Sequence, residues 1–498
     1  MKATTLLPDL FCFHDTCNVY VVRDGTEAVA VDFGSGRWLR ELPRLGVRSL
    51  RHVFLTHHHA DQCAGLAARK TSPFVVHAPR EEERFLSPAG VAAYWRARRP
   101  REGCPPSYSV LPRGLRGVRY DMADSADLFW GRRRIRFLRT PGHSLGALSV
   151  LLTHEGKQVV FCGDAAHAGA TLWQPYHLEW DHWTGAGALA AWEGVRRLAD
   201  LQVDLLCPAH GLAVADRPQA MLRQLARKLM DFYRAKGNVS PGERDDYADS
   251  EPLPCGARRV LPHLFQYDNN SYLLLSETGE AMLIDPPTDP KRTAPLLAEL
   301  RRPPVTAATA THFHSDHTGG LPAARRRYGA KVWLHPWVAA ILHRGNHREL
   351  VSFPAETVRA DRLWPARGRW RWNEYEFRIA PLPGQTWWHC GFMTRVDGQK
   401  VLFSGDNFQP ASRWNGTGGF CAFNGSRLEG YARSARLVLQ WRPDLLAAGH
   451  RTYFRFRASR FRKVLRWASR AKSAVQALCP TGDLENDYHL HSIARESR

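Results

Sequence analysis

The chain has 498 residues, of which 44% are hydrophobic, and a formal net charge of +21 at pH 7. This length suits two or three domains, each large enough for a full hydrophobic core. No apolar run reaches the roughly 18 residues of a membrane helix, and the first residues lack the apolar core of a signal peptide, so we expect a cytoplasmic protein with no membrane partner.

The ten cysteines include no CxxC pair, which indicates reduced thiols and argues against a disulfide framework or a zinc knuckle. The arginines are spread along the chain, so the positive charge is most simply a bias of composition. The alternative is a surface that attracts phosphates, nucleic acid or acidic small molecules.

Short β-branched runs in the first half predict strands. VYVVRDGTEAVAVDFG predicts two strands joined at Asp24-Gly25. Further strands are predicted in VFLT, RIRFLRT, VLLTHEGKQVVFCGD and VDLLCP. Histidine and aspartate follow these strands at their C-terminal ends, so side chains from several loops can converge at one sheet edge.

The half then closes with a helix and a linker. Apolar residues recur at helical spacing at Leu222, Leu225, Leu229 and Phe232. The polar segment GNVSPGERDDYADSEPLP that follows reads as a linker, because it is rich in Gly, Pro and Asp.

The second half repeats the first, block by block and in the same order. LLPDLFCFHDTCNVYVV in the first half corresponds to VLPHLFQYDNNSYLLL in the second. Five pairs of polar residues also correspond: Asp32 and Asp285, His57 and His312, His143 and Gln385, Asp164 and Asp406, and His210 and His450. We therefore predict a first domain at 1–236, a linker at 237–256, and a second domain at 257–498, with contact between the two domains.

The second domain ends in a predicted helix with an apolar face from Phe461 to Leu478. Its other face carries Arg462, Lys463, Arg466, Arg470 and Lys472. A solvated face is the simpler interpretation, and a surface for anions or nucleic acid is the alternative.

The motifs HHHAD and HFHSD predict a metal centre in each half, because two histidines two positions apart reach one cation from a tight loop. Imidazole and carboxylate together favour Zn²⁺, with Fe or Mn as alternatives. The recurrence of the motif with later His and Asp blocks in register strengthens the prediction.

The order HxHxDH, then GH[ST], then GD, then GH resembles the metallo-β-lactamase superfamily. TPGHSLGALSVLL followed by VVFCGD is similar to its glyoxalase II-like branch. The resemblance covers nearly the whole chain in two tandem copies. It implies an α/β fold of the α+β type, a four-layer αββα sandwich duplicated in tandem, with one or two metals per domain at one edge of the sheets.

In the first copy, the resemblance implies that His57, His59 and His143 hold the first metal, with Asp164 as a bridge. Asp61, His210 and Asp164 would hold the second, where Gln62 replaces the usual histidine. Since a Gln amide oxygen is a weaker, uncharged ligand, we expect a lower affinity at this second position.

In the second copy, His312 and His314 remain, but Gln385 occupies the place of His143. His389 is a possible substitute, and a structural or substrate-facing role is the alternative for it. The second-metal set is complete, with Asp316, His317, His450 and the bridging Asp406. Each copy is therefore expected to bind one metal tightly and another weakly.

Neighbouring polar residues are expected to support these ligands. The resemblance implies that Thr56, Thr311, Asp32 and Asp285 orient them, although the two aspartates could simply be turn residues at strand ends. His58 lies between two ligands and should point away from the metal.

The expected reaction is attack by a metal-activated water on a small ester, thioester or lactone-type substrate, with Asp61 and Asp316 steering the proton of that water. No Ser-His-Asp elbow, P-loop or dinucleotide fingerprint competes with this role. One alternative is a nuclease or phosphodiesterase acting on an anionic substrate. Another is that one copy is not catalytic and serves as a scaffold or partner surface.

Overall fold

The computed structural model describes residues 2–69, 71–98, 110–174, 178, 186–236, 247–344, 353–354, 356–408, 429–450 and 452–482. Within these ranges, residues 2–97, 110–234 and 474–482 lie in one compact unit, and residues 98 and 235–473 lie in the other. We call them unit one and unit two. The predicted domain boundaries stay a prediction, because residues 237–246 of the predicted linker lie outside the described ranges.

Unit one contains two sheets in its described part. The strands of the first sheet follow one another in chain order: β1 (Thr4–Leu7), β2 (Leu10–His14), β3 (Asn18–Asp24), β4 (Glu27–Val31), β5 (Ser49–Phe54), β6 (Val75–Pro79) and β7 (Val118–Met122). The second sheet has the order β12-β11-β10-β9-β8, from β8 (Asp127–Trp130), β9 (Arg133–Arg139), β10 (Leu148–His154), β11 (Lys157–Gly163) and β12 (Leu205–Pro208).

Helices cover the outer sides of these sheets. They are α1 (Ala60–Ala67), α2 (Glu83–Leu86), α3 (Pro88–Arg98), α4 (Gly187–Ala199) and α5 (Pro218–Lys236), with 3-10 turns at Arg37–Leu45 and Arg80–Glu82. Three of the parallel pairings, β4–β5, β5–β6 and β11–β12, each direct two strand ends to the same edge. The loops that carry the candidate ligands begin where these strands end.

The predicted hairpin forms between β3 and β4, where Asp24 pairs with Glu27. Gly25 has a φ of 59°, a left-handed conformation that glycine adopts without a steric penalty. The Asp24-Gly25 prediction therefore identified the turn correctly.

The hydrophobic core of unit one lies on both faces of the first sheet because its side chains alternate. Tyr20 and Phe54 point towards the second sheet, where their rings lie 5.2 Å from Phe161 and 5.9 Å from Phe137. Val19 and Val21 belong to the other core, together with Trp38, Leu66 and other residues outside the sheet. This alternation produces a helix–sheet–sheet–helix sandwich.

Unit two repeats this architecture. Its first sheet runs in chain order through β13 (Glu251–Pro252), β14 (Arg258–Leu261), β15 (Leu264–Tyr267), β16 (Ser271–Leu275), β17 (Ala281–Ile284), β18 (Val305–Thr309), β19 (Lys331–Leu334) and β20 (Arg362–Leu363). Its second sheet runs through β21 (Gly368–Trp372), β22 (Tyr375–Pro381), β23 (Cys390–Val396), β24 (Gln399–Gly405), β25 (Leu445–Ala448) and β26 (Thr452–Arg455).

The helices of unit two are α6 (Ala294–Glu299), α7 (Ser315–Thr318), α8 (Leu321–Tyr328), α9 (Pro336–Arg344), α10 (Glu429–Trp441) and α11 (Ala458–Gln476), with 3-10 turns at Pro290–Arg292 and Asp406–Phe408. Tyr272 of β16 and Phe403 of β24 join the two sheets, with their ring centroids 5.8 Å apart. The α/β fold class and the duplicated αββα sandwich are confirmed. No helix in the described ranges is both long and apolar enough to cross a membrane.

Candidate metal centres

The loop after β5 holds the first two histidines of unit one between a strand that ends at Phe54 and a helix that begins at Ala60. Asp32, at the end of β4, accepts hydrogen bonds from the Thr56 backbone N–H at 2.8 Å and from its hydroxyl at 3.0 Å. These bonds fix the start of the loop. Asp32 thus contacts the residue next to His57, and the role of Asp32 and Thr56 in orienting the metal ligands stays a prediction.

Four buried residues of unit one, His57, His59, His143 and Asp164, bring ligand atoms within 4.8 Å of one another. His143 Nε2 lies 2.9 Å from His59 Nδ1 and 3.3 Å from Asp164 Oδ2. His57 Nε2 lies 3.6 Å from the same Asp164 oxygen. Because the site is desolvated, the pKa of His143 lies well below its ordinary value and that of Asp164 is raised.

The donor set of this cluster fits a cation. Asp164 Oδ2 is buried and accepts no hydrogen bond from any described residue, although two imidazole nitrogens lie within 3.6 Å of it. Imidazoles grouped around a buried carboxylate oxygen are arranged to share a positive ion. A divalent cation would satisfy all of these atoms at once.

The second predicted position of unit one is less complete. His210 links two carboxylates, with Nε2 at 3.3 Å from Asp61 Oδ2 and Nδ1 at 2.9 Å from Asp164 Oδ1. Burial alone would lower the pKa of His210, but these carboxylates raise it to about 10. The Gln62 side chain is fully buried, and neither of its amide atoms has a hydrogen-bond partner among the described residues.

Unit two builds the same loop on Asp285, which accepts from the Thr311 backbone N–H at 2.7 Å and from its hydroxyl at 2.9 Å. A first cluster brings together His312, His314 and Asp406. Gln385 occupies the place of a third histidine, and its amide nitrogen donates to Asp406 Oδ2 at 2.9 Å. This position therefore has one imidazole fewer than its counterpart in unit one.

A second cluster of unit two contains Asp316, His317 and His450. His317 Nε2 lies 3.2 Å from Asp406 Oδ1, and His450 Nε2 lies 3.1 Å from Asp406 Oδ2. Burial would raise the pKa of Asp406, but His450 and His317 hold it well below its ordinary value. Asp406 thus lies between both clusters, as a bridging ligand would.

The histidine at position 317 also explains a difference between the two copies. His317 Nδ1 lies 2.9 Å from Asp285 Oδ2, whereas Gln62 leaves Asp32 without an imidazole partner in the described part of unit one. Burial, partly offset by the hydrogen bonds from Thr56, raises the pKa of Asp32 to about 8. The exchange of one side chain therefore changes the charge balance beneath the site.

His389 lies beside the first cluster of unit two but is not a member of it. Its ring stacks on His312 with centroids 4.7 Å apart and an angle of 12° between the ring planes. Burial lowers its pKa to about 3. It occupies the place of Ala147, since Leu148 N and Cys390 N donate to the carbonyls of Thr56 and Thr311 in turn.

The comparisons with known proteins agree with this geometry. The model of the metallo-beta-lactamase superfamily matches residues 13–210 and 265–450, which together make up more than half of the chain. The chain belongs to the metallo-beta-lactamase superfamily. The resemblance stated from the sequence is confirmed, and both matched regions carry the clusters described above.

Among curated relatives, a hydroxyacylglutathione hydrolase of Albidiferax ferrireducens is 29% identical over 143 residues, which is 28% of this chain and 48% of the relative. A hydroxyacylglutathione hydrolase of a Polaromonas species is 31% identical over 150 residues, which is 30% of this chain and 51% of the relative. The chain thus spans about half the length of the curated relatives it matches. Among solved structures, a metallo-beta-lactamase family protein of Thermus thermophilus is 22% identical, with a TM-score of 0.36, covering 47% of this chain and 83% of that one.

In this metallo-beta-lactamase fold, sequence reasoning missed Asn270 of unit two. Asn270 is buried; its amide nitrogen donates to Asp316 Oδ2 at 2.7 Å, and its oxygen accepts from the His450 backbone N–H at 2.8 Å. Asn269 lies 3.0 Å from His450 Nδ1. The available signal was the asparagine two residues before the tyrosine in both copies, Asn18 and Asn270.

Proposed function

We propose that this chain is a metal-dependent hydrolase of small ester, thioester or lactone-type substrates. The observation that carries the proposal is the convergence of His57, His59, His143 and Asp164 in a buried group. The relatives named hydroxyacylglutathione hydrolase support an acyl substrate, because that name denotes hydrolysis of an acylated glutathione, which is a thioester.

Zn²⁺ is the proposed metal, with Fe or Mn as alternatives, because the donors are imidazoles and carboxylates. Bound there, such a cation would polarise an acyl carbonyl and acidify a water molecule. We assign the tight position of unit one to its three histidines and Asp164. In unit two we assign it to Asp316, His317, His450 and Asp406.

The two assigned positions differ because each copy lacks a different imidazole. Unit one has Gln62 where unit two has His317, and unit two has Gln385 where unit one has His143. Asp164 and Asp406 contact histidines of both positions in their own unit. Each aspartate can therefore serve either a single cation or a pair.

Asp61 and Asp316 are the proposed proton acceptors. Their side chains are 34% and 48% exposed, whereas the bridging aspartates are buried, so substrate and water reach the first pair more easily. Asp316 Oδ2 is held by the amide of Asn270, and Asp61 Oδ2 lies 3.3 Å from His210. A proton taken by either oxygen can leave directly to solvent.

The test is a substrate panel of thioesters, lactones and phosphodiesters assayed with the native chain and with His59→Ala and His317→Ala. We expect acyl hydrolysis that depends on added metal and is lowered in His59→Ala. Metal-dependent cleavage of only the phosphodiesters would replace the proposal with a phosphodiesterase. If His317→Ala, which removes a ligand of the tight position of unit two, leaves turnover unchanged in the same panel, unit two is not catalytic.

A further inference from the structure

A buried carboxylate connects the two ligand-bearing loops of unit one. Glu82 is 0% exposed, and both of its oxygens are used. Oε2 accepts from the His58 backbone N–H at 3.1 Å and from the His58 ring, and Oε1 accepts from the Ser144 hydroxyl at 2.9 Å and the Gly146 N–H at 2.5 Å. One side chain thus joins the loop of His57 and His59 to the loop of His143.

The packing around Glu82 shows that the surrounding chain is shaped for it. A Cβ at Gly146 would lie 2.7 Å from Glu81 Cβ and 2.9 Å from Glu82 Oε1, so only glycine lets the backbone approach this closely. His58 is buried against Phe85, with ring centroids 4.5 Å apart. The His58 ring is therefore directed to Glu82 and away from the metal cluster.

The described residues of unit two make no such connection, and three positions differ together. Phe313 replaces His58, and Trp388 replaces Gly146. The pairing of β5 with β6 and of β18 with β19 aligns Glu82 with Val338. A shift of one residue in the turn would align it with Ala339, so the counterpart is apolar in either alignment. Phe313 and Trp388 lie 6.0 Å apart in a shared hydrophobic core. An aromatic contact thus joins the loops where unit one has a carboxylate.

We infer that Glu82 is the positioning residue of the three-histidine site, holding His143 at its distance from His57 and His59. The carboxylate is present in the copy that keeps all three histidines, and it is absent from the copy in which Gln385 replaces the third. A carboxylate that bonds both loops preorganises the site, because neither loop then has to become ordered when the metal binds. The inference rests on the proposed metal site of unit one.

The substitution that tests it is Glu82→Gln. Glutamine keeps the shape of the side chain but has one acceptor oxygen, so its NH₂ group must face the donors of one loop. Glu81→Gln is the matched control, since Glu81 is 54% exposed and pairs with Arg139 at 2.9 Å. Both variants are made in the full chain with His312 and His317 of unit two changed to alanine, so that only unit one binds.

The measurements are Zn²⁺ affinity by chelator competition and the visible absorption of bound Co²⁺, which reports the geometry of the ligands. We expect Glu82→Gln to lose roughly 10- to 100-fold in Zn²⁺ affinity with a weaker, shifted Co²⁺ spectrum, and Glu81→Gln to match the parent. Ser144→Ala removes one contact and should lose less, which gives a second variant if Glu82→Gln does not fold.

Two results would overturn the inference in distinguishable ways. If folded Glu82→Gln and Ser144→Ala both bind Zn²⁺ as tightly as Glu81→Gln, with the same Co²⁺ spectrum, Glu82 does not position the site. If the Glu81→Gln chain itself binds no metal, the proposed site of unit one fails, and the inference fails with it.

Discussion

Replacing Gln62 with histidine should restore the missing imidazole of unit one. In unit two the corresponding His317 contacts Asp285 at 2.9 Å and Asp406 at 3.2 Å. A histidine at position 62 would be placed to meet Asp32 and Asp164 in the same way. We therefore expect Gln62→His to add a second tightly bound metal to unit one.

The size of the stability change follows from the burial of Gln62. Both of its amide atoms are buried without a described partner, and each such atom costs about 1–3 kcal/mol. A histidine that bonds Asp32 removes at least one of these penalties. The metal-free chain should then gain about 1–3 kcal/mol in the free energy of unfolding of unit one, or about 2–4 °C in Tm for each kcal/mol.

The assay is thermal unfolding after chelator treatment, together with a metal count by plasma emission spectrometry after extensive dialysis. His317→Gln is the reverse exchange, and it should lower both quantities in unit two. If Gln62→His raises neither the Tm nor the metal count, the account of the second position is refuted.

Three further expectations follow from the same geometry. Gln385→His should complete a three-histidine set around Asp406, so the number of metal ions bound to unit two should rise in the same dialysis assay. An unchanged number would argue against the assignment of that position. His210 has a folded pKa of about 10 against an ordinary 6.5, so its stabilisation of the metal-free chain is complete below about pH 6.5 and is lost as the pH rises towards 10. After chelator treatment, the Tm of the unsubstituted chain should fall over this range more steeply than that of His210→Gln. Parallel curves would contradict the assignment. Phe161→Ala removes a fully buried ring between the sheets and should lower the free energy of unfolding by about 3–5 kcal/mol, measured as a lower Tm. A Tm within about 2 °C of the native value would show that Phe161 does not stabilise the contact between the sheets.

The sequence carried enough information for the fold and for the ligand-bearing loops. His143 and Asp164 follow β9 and β11, which run in the same direction in one sheet, so their proximity follows from chain direction. The proximity of His57, which follows a strand of the other sheet, depends in addition on how the two sheets pack. The two copies also provided an internal alignment, which identified Gln62 and Gln385 as exchanges at proposed ligand positions.

The supporting residues could not be predicted in the same way. Glu82 meets Gly146, and Asn270 meets Asp316, across separations that no periodic pattern reveals. His389 was a candidate substitute ligand from its spacing alone. Its ring stacks on His312 at the position of Ala147, which spacing did not reveal, and its role as a ligand stays a prediction.

The most direct test of the central claim is the number of tightly bound metals in the native chain. We predict about two Zn²⁺ ions per chain after extensive dialysis, with one lost in His59→Ala and the other lost in His317→Ala. About four tightly bound ions would contradict the claim that each unit has one tight and one weak position. A count near zero would contradict the assignment of metal centres itself.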